Sequence, residues 1–155
     1  MKKIIFPVFL LLILSGMSYG QSNNFGLGII LGEPTGISLK VRLSENTAVD
    51  GALGYSFVNK ESLHIHGDFL LHDYSLIRVD EGRLPVYYGI GGRIKLKNKE
   101  NGNDDDRIGV RVPLGLAYEF SSRKVDIFLE VVPVLDLAPE TDASINAALG
   151  ARYYF

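Results

Sequence analysis

The C-terminal stretch Ala143–Phe155, ASINAALGARYYF, has the pattern of an amphipathic β-strand. From Ile145 onward every second residue is apolar or small, and the residues between them are polar or small. Successive side chains of a strand point to opposite faces of the sheet, so this alternation predicts one apolar face and one polar face. The polar face carries Arg152, and the apolar face ends on Tyr153 and Phe155.

The same alternation recurs upstream, and no helical period is sustained after the N-terminal segment. The predicted strands cover residues 25–31, 37–43, 49–57, 63–72, 86–97, 107–120, 125–135 and 143–155. About eight such segments, separated by turns, match the pattern of transmembrane barrels, whose strands span the bilayer with ~9–11 residues. The sequence therefore predicts an all-β fold, an eight-stranded antiparallel up-and-down transmembrane β-barrel.

Charge is confined to one face of nearly every predicted strand, where it is mixed with Gly, Ala and Ser. A soluble ligand-carrying barrel has the opposite arrangement, with an apolar lumen and a charged exterior. An apolar exterior promotes aggregation in water, but lipid requires it, because Arg or Lys at mid-membrane on the lipid face costs ~2–4 kcal/mol. Aromatic residues towards the strand ends suit interfacial girdles: Phe25, Tyr55, Phe57, Phe69, Tyr118, Phe120, Tyr153 and Phe155.

The connecting segments differ in length and charge. Asn98–Asp106, NKENGNDDD, is the longest charged loop, and Asp136–Asp142 is predicted as the last loop. If both termini face the periplasm, the short turns at Ser44–Asn46 and Ser121–Arg123 are periplasmic and the charged loop is external. Residues 74–83 either extend a strand or form an unusually long turn.

The N-terminus has the features of a cleaved export signal. Lys2 and Lys3 precede the apolar run Ile4–Leu14, which is shorter than the ~20 residues that a membrane anchor needs. Small residues follow it, so residues 1–20 are predicted to be a secretory signal peptide and residues 21–155 the barrel domain.

Composition excludes several classes of function. Without the signal peptide, 14 basic side chains remain against 18 acidic ones, a formal charge of −4. Such a balance does not favour nucleic-acid binding. The chain has no cysteine, so disulfides, thiol chemistry and lipoprotein processing are excluded, and a small exported domain needs another source of stability. Barrel closure is one, since it satisfies every backbone group.

The polar faces predict a structural charge network that fills the lumen of the barrel. Its predicted members are Arg42, Asp50, Asp68, Arg93, Arg111, Glu119, Asp126, Glu130 and Arg152. Buried charges without partners are very costly, so these side chains are expected to pair and to leave no open pore.

Antiparallel pairing makes this network specific. It places Glu119 opposite Asp126, and Asp126 opposite Arg152, so Arg152 is expected to neutralise the acidic pair. Arg93 and Arg111 are expected close together, with Asp68 or Glu130 as counter-ions.

Some residues of the polar faces could bind a metal or catalyse a reaction, but the same residues could also simply line a polar lumen. His64, His66 and Asp68 share one strand face, and imidazole suits zinc or copper. Ser56 and Ser62 lie nearby in the sequence, but parity alone defines no catalytic triad. No catalytic, cofactor-binding or metal residue is assigned, and no cofactor is expected.

Several runs resemble a known family. They include FGLGIILGEPTGISLKVRL (residues 25–43), GRLPVYYGIGGRIKL (82–96) and GARYYF (150–155). The chain resembles a family of small outer-membrane β-barrels typed by a spirochaete surface protein, across essentially all of residues 21–155. The resemblance implies an eight-stranded barrel similar in shape to the OmpA/OmpX class, and it carries over no activity.

The expected function is a structural or surface-interaction role in the outer membrane through external loops, without catalysis. The alternatives are a narrow pore for small solutes and a lipid-modifying barrel enzyme. Expected partners are membrane lipid, the assembly machinery that recognises a C-terminal strand ending on Tyr153 and Phe155, and an extracellular ligand. The chain is expected to be monomeric and to bind no nucleic acid.

Overall fold

The computed structural model describes residues 23–56, 62–97 and 106–155. The predicted signal peptide, Phe57 and most of the charged loop Asn98–Asp106 therefore lie outside the described residues. The described strands are β1 (Phe25–Gly32), β2 (Thr35–Arg42), β3 (Thr47–Ser56), β4 (Ser62–Asp73), β5 (Val86–Lys97), β6 (Arg107–Arg111), β7 (Leu114–Glu119), β8 (Val125–Ala138) and β9 (Asp142–Tyr154). Within these ranges, no helix has the length and hydropathy needed to cross a bilayer.

The strands form one antiparallel sheet that closes on itself. Each wall position pairs with the next along the chain, and β1 pairs with β9, with Leu27 opposite Tyr153. Both β6 and β7 lie between β5 and β8. They follow one another along the same place in the barrel wall, so the nine described strands form a ring of eight strand positions. The prediction of an all-β, eight-stranded up-and-down barrel is confirmed.

Two of the predicted segments are wrong. The segment 107–120 is interrupted at Val112 and Pro113, because proline has no N–H to donate to a ladder. The ladders are nevertheless bridged: Val112 N donates to Pro133 O and Gly89 N donates to Pro113 O, each at 3.0 Å. In addition, Asp136–Asp142 is no loop, since Asp136 pairs with Asp142 at the end of the β8–β9 hairpin.

The two ends of the barrel differ. The terminal rim, as we call it, comprises the start of β1 and the end of β9 with the turns at residues 43–46 and 120–124 and the β4–β5 connection at 74–85. The distal rim is the opposite end, with the turns at residues 33–34 and 139–141. Residues 74–85 form a long connection instead of extending β4, and Arg83 makes an isolated antiparallel bridge to Glu119.

Side chains alternate strictly between the lumen and the outside. The outward face is apolar in every strand position, with examples at Ile29, Leu53 and Leu129, which are 56%, 49% and 55% exposed. The inward face is mostly polar: seventeen polar or charged residues among the described ones are buried. The period-two alternation of the sequence therefore places charged side chains inside the barrel and apolar side chains outside. This polarity is inverted relative to that of a soluble protein.

The lumen is narrow enough to require glycine at particular inward positions. A Cβ on Gly91 would collide with the Asp68 carboxylate and with backbone of β4, and a Cβ on Gly115 would collide with the ring of Tyr87. These glycines leave the space that the large inward side chains of neighbouring strands occupy.

Candidate functional site

The charged interior is the most distinctive feature of the molecule. Eight of the nine predicted network residues are buried on the inward face, and the ninth, Arg42, lies at the terminal rim with its side chain 14% exposed. The same interior also holds Lys40, which the polar face of its strand predicts, and two residues that the charge-network hypothesis did not include, Tyr87 and Asp136.

Arg111 forms the centre of the middle cluster. Its Nε lies 2.9 Å from Asp68 Oδ2 and its Nη2 lies 3.2 Å from Glu130 Oε1, with no part of the Arg111 side chain exposed. Tyr87 donates its hydroxyl to Glu130 Oε2 at 3.0 Å. Arg111 stands opposite Gly91, and the missing side chain there leaves room for Asp68. One guanidinium thus bridges two carboxylates that come from β4 and β8, on the two flanks of its own strand.

Arg152 organises a second cluster nearer the terminal rim. Its Nη2 donates to Asp50 Oδ2 at 3.0 Å and its Nε donates to Ser38 Oγ at 2.9 Å. Its Nη1 lies 3.8 Å from Asp126 Oδ2, and the guanidinium carbon lies 3.8 Å from the centroid of the Phe128 ring. Asp126 stands directly opposite Arg152 in the β8–β9 register, as antiparallel pairing requires.

Glu119 is held differently from the sequence hypothesis. It does stand opposite Asp126, but Arg152 is not its counter-ion. Arg83 Nη2 donates to it at 2.8 Å and Arg42 Nη2 at 3.3 Å, and the Tyr74 hydroxyl donates to it at 3.1 Å. The reason is the β4–β5 connection, which folds back over the terminal rim and supplies two of these three partners.

Arg93 also has a partner that the sequence hypothesis did not name. Its Nε and Nη2 donate to the two carboxylate oxygens of Asp136 at 3.0 and 2.9 Å, a bidentate pair. Asp136 was expected in a loop, and the extension of β8 places it in the lumen instead. Arg107 Nη1 lies 3.2 Å from Asp136 and 3.0 Å from Asp142.

His64 and His66 contact each other, and His72 lies apart from them beside Lys40. His66 Nδ1 lies 3.3 Å from His64 Nε2, and His66 Nε2 lies 3.9 Å from Asp68 Oδ2. Lys40 Nζ donates to His72 Nε2 at 2.8 Å. In residues 23–56, 62–97 and 106–155, no group of three His, Cys, Asp or Glu side chains is arranged to hold a metal ion. Ser56 donates its hydroxyl to the carboxylate of Glu33.

A cavity of about 420 Å³ opens at the terminal rim, lined by Arg42, Glu45, Tyr74, Arg83 and Arg123 among others. The hydrogen bond from Arg123 lowers the pKa of Glu45 below its ordinary value, and the nearby charges of Arg123 and Arg83 act in the same direction. Burial, with the negative charge of Glu119 second, raises the pKa of Tyr74 to about 12. Tyr74 therefore stays a neutral donor to Glu119 at physiological pH.

A second cavity of the same size opens at the distal rim, lined by Glu33, Arg93, Lys95, Arg107 and Asn146 among others. Between the two cavities the lumen is occupied by the Arg111 and Arg152 clusters. The described interior is arranged to pair charges across the ring.

Solved structures include one with a similar fold. The crystal structure of the N-terminal β-barrel domain of Pseudomonas aeruginosa OprF matches with a TM-score of 0.60 at 15% sequence identity. The match covers 85% of this chain and 96% of that one, which shows a shared barrel fold. No curated protein matches the chain. Residues 18–154 match the model of a family described as a protein of unknown function (DUF3996), and the chain therefore belongs to that family.

Proposed function

We propose that this chain is a small integral outer-membrane β-barrel with a structural or surface-interaction role through its external loops, and that it catalyses no reaction. The observation that carries the proposal is the inverted polarity of the closed sheet. Large apolar side chains cover the outside, whereas the fully enclosed Arg111 and its counter-ions lie inside. The OprF-like fold supports the same location.

The physical argument is one of matching solvents. In water, the outward apolar band far exceeds the patches of a few hundred Å² that soluble monomers expose. In hydrocarbon, a closed barrel satisfies all of its backbone groups, and its polar side chains are kept away from lipid. The proposed partners follow: membrane lipid around the wall, the assembly machinery reading Tyr153 and Phe155, and a ligand at the external loops. The proposed location also requires cleavage of residues 1–20 during export.

The orientation proposed is the one with both termini in the periplasm. The distal rim is then external and carries the loop that begins after β5, while the terminal rim, with its folded-back connection at residues 74–85, faces the periplasm. The chain is proposed to act as a monomer, because pairing of β1 with β9 closes the ring over residues 26–32 and 148–154, and a closed barrel lacks the long free edge that recruits a second copy.

Assembly of the full chain in a Gram-negative host tests the proposal. We expect the protein in the outer-membrane fraction of the cells. We also expect its folded form to change its electrophoretic mobility when the sample is heated. Leu129→Arg on the outward face is expected to prevent folding, and Lys124→Glu in the turn at residues 120–124 is the control that leaves it intact. A protease site inserted at residue 102 is expected to be cut on intact cells. A mature chain that stays soluble and monomeric without detergent contradicts the proposal.

Conductance in planar bilayers distinguishes the narrow-pore alternative from the proposed structural role. The two cavities are divided by paired charges around Arg111 and Arg152, so the wild-type barrel is expected to carry no steady current. The lipid-enzyme alternative predicts lipid turnover that His64→Ala or His66→Ala removes, and we expect none in the wild type.

A further inference from the structure

The wall of the barrel is uneven at the distal rim. Strand β9 begins at Asp142, but β1 pairs with it only up to Gly32 opposite Ala148. The turn at residues 33–34 continues the contact by one bond, from Glu33 N to Ala147 O at 3.0 Å. The first residues of β9 therefore rise beyond the end of β1. This leaves a notch in the wall, which we call the distal notch, above the β1–β2 turn.

The distal cavity lies at this notch. Its lining combines inward residues of three strand positions, Arg93 and Lys95 on β5, Arg107 on β6 and Asn146 on β9. Ile145 and Ala147, which lie on the outward face of β9, also line it. The cavity is thus reached both from the mouth of the barrel and from the side, next to the apolar outer band.

Two buried donors in this lining have no acceptor among the described residues. They are Arg93 Nη1 and Asn146 Nδ2. The residues Arg93 and Asn146 are 3% and 5% exposed. A buried donor without an acceptor is costly and rare in native proteins. The two residues that carry these donors line the same cavity, which indicates that an acceptor group entering it completes the site.

The carboxylates of the notch are already engaged. Asp136 accepts from Arg93 and Arg107, Asp142 pairs with Arg107, and Glu33 pairs with Lys95 at 3.1 Å. The spare hydrogen-bonding capacity of the notch therefore belongs to donors. Three cations face three carboxylates, so the local charge is balanced and the notch favours a singly charged acceptor over a multiply charged one.

We infer that the distal notch binds a phosphodiester group. A phosphodiester carries one negative charge and tetrahedral oxygens, which can accept from donors that approach from several strands. Arginine is over-represented wherever phosphate is recognised. The group can come from a soluble diester or from a phospholipid headgroup whose acyl chains lie along the outward face of β9. The binding of a phosphodiester goes beyond the proposed function and does not depend on it. Only a phospholipid as the source of the group rests on the proposed membrane location.

The test uses the mature chain folded in micelles of an uncharged maltoside detergent. The probes are dimethyl phosphate and a short-chain phosphatidylglycerol added to the micelles, with the backbone amide resonances of residues 142–148, which every variant retains, as the readout. We expect saturable shifts. We expect Asn146→Asp and Arg107→Gln to weaken binding of dimethyl phosphate at least tenfold. Arg123→Gln at the terminal rim is the control and is expected to bind as the wild type does.

Asn146→Leu is the second variant, since it removes the donor without adding charge. Its folded state is monitored by the same heat-dependent mobility. Tighter binding of phosphatidylglycerol than of dimethyl phosphate assigns the site to lipid, and equal affinity assigns it to soluble diesters. Either result supports the inference. The inference is overturned if neither probe shows saturable binding, if Asn146→Leu binds as tightly as the wild type, or if acetate binds as well as dimethyl phosphate. None of these results depends on the cellular location of the protein.

Discussion

The middle of the lumen and the terminal rim hold the same kind of ion pair in different surroundings. In the middle, Arg111 bridges Asp68 and Glu130 with no exposure to solvent. At the terminal rim, Glu119 is equally enclosed, but Arg83 and Arg42 reach it from partly exposed positions, at 32% and 14% exposure of their side chains. The difference teaches that burial of the cation, more than the distance of the pair, decides what loss of one partner costs.

Removal of Arg111 should have the largest effect. Arg111→Met leaves two buried carboxylates without their central cation, and breaking a buried pair in this way costs about 3–5 kcal/mol. Urea unfolding in detergent micelles, followed by tyrosine fluorescence and heat-dependent mobility, measures the free energy of unfolding. Arg152→Ala is expected to lower the unfolding midpoint as well, since it removes the cation beside Asp50. An unchanged midpoint in both variants would remove the stabilising role that we propose for the network.

Overfilling the middle of the lumen should come next. Gly115→Val places side-chain atoms against the Tyr87 ring and the backbone of β8, and such overpacking costs about 1–3 kcal/mol. The matched control is Gly92→Ala, whose Cβ meets nothing closer than Gly109 O at 3.7 Å. Equal loss of stability in the two variants would show that the strand backbone, and not the crowded lumen, is responsible.

The terminal rim should respond less than the middle. Glu119→Gln keeps the shape of the side chain and removes the charge that Arg83 and Arg42 share, so we expect a loss of about 1–2 kcal/mol in unfolding free energy. Hydrogen exchange of residues 74–85 should increase, because Glu119 is the contact that holds this connection over the rim. A loss as large as that of Arg111→Met would contradict the role given to burial.

The smallest effect is expected at Glu45, which is fully exposed. Its pKa lies below the ordinary value because Arg123 donates a hydrogen bond to it. A lowered folded-state pKa adds stability above the ordinary pKa, and this stability is lost as the pH falls through the folded-state value. Any difference between wild type and Glu45→Gln should therefore be present at neutral pH and vanish in acid. Unfolding midpoints across this pH range measure it, and a difference that grows in acid would contradict the assignment.

Much of the fold is predictable from the sequence because polarity alternates with a period of two. The alternation around Arg152 and the turn at Ser121–Arg123 sets the register in which Asp126 faces Arg152 and Glu119. The partners of Glu119 could not be predicted, because Tyr74 and Arg83 lie in a connection without any period. Asp136 was missed because the acidic and proline residues near it are typical of a turn, although β8 continues to Ala138, directly before the proline.

The donors of the distal notch show another limit of sequence reasoning. Arg93 was predicted to lie in the lumen, but pairing rules could not show that one of its nitrogens has no acceptor among the described residues. Asn146 lies on the polar face of the last strand, and alternation alone gives it no partner. The notch beside it results from the unequal extents of β1 and β9, and strand length is the quantity that alternation predicts least well.

In the proposed membrane location, the unequal strands also have a mechanical consequence for the surrounding bilayer. Strand β1 has 8 residues and β9 has 13, and at a rise of about 3.3 Å per residue the two neighbours differ by roughly 16 Å along their length. Lipids beside β1 then meet a shorter hydrophobic wall than lipids beside β8 and β9. Such a mismatch is relieved by tilting the protein or by thinning the membrane locally. The barrel is therefore expected to lean, with a thin patch of bilayer always on the side of its first hairpin.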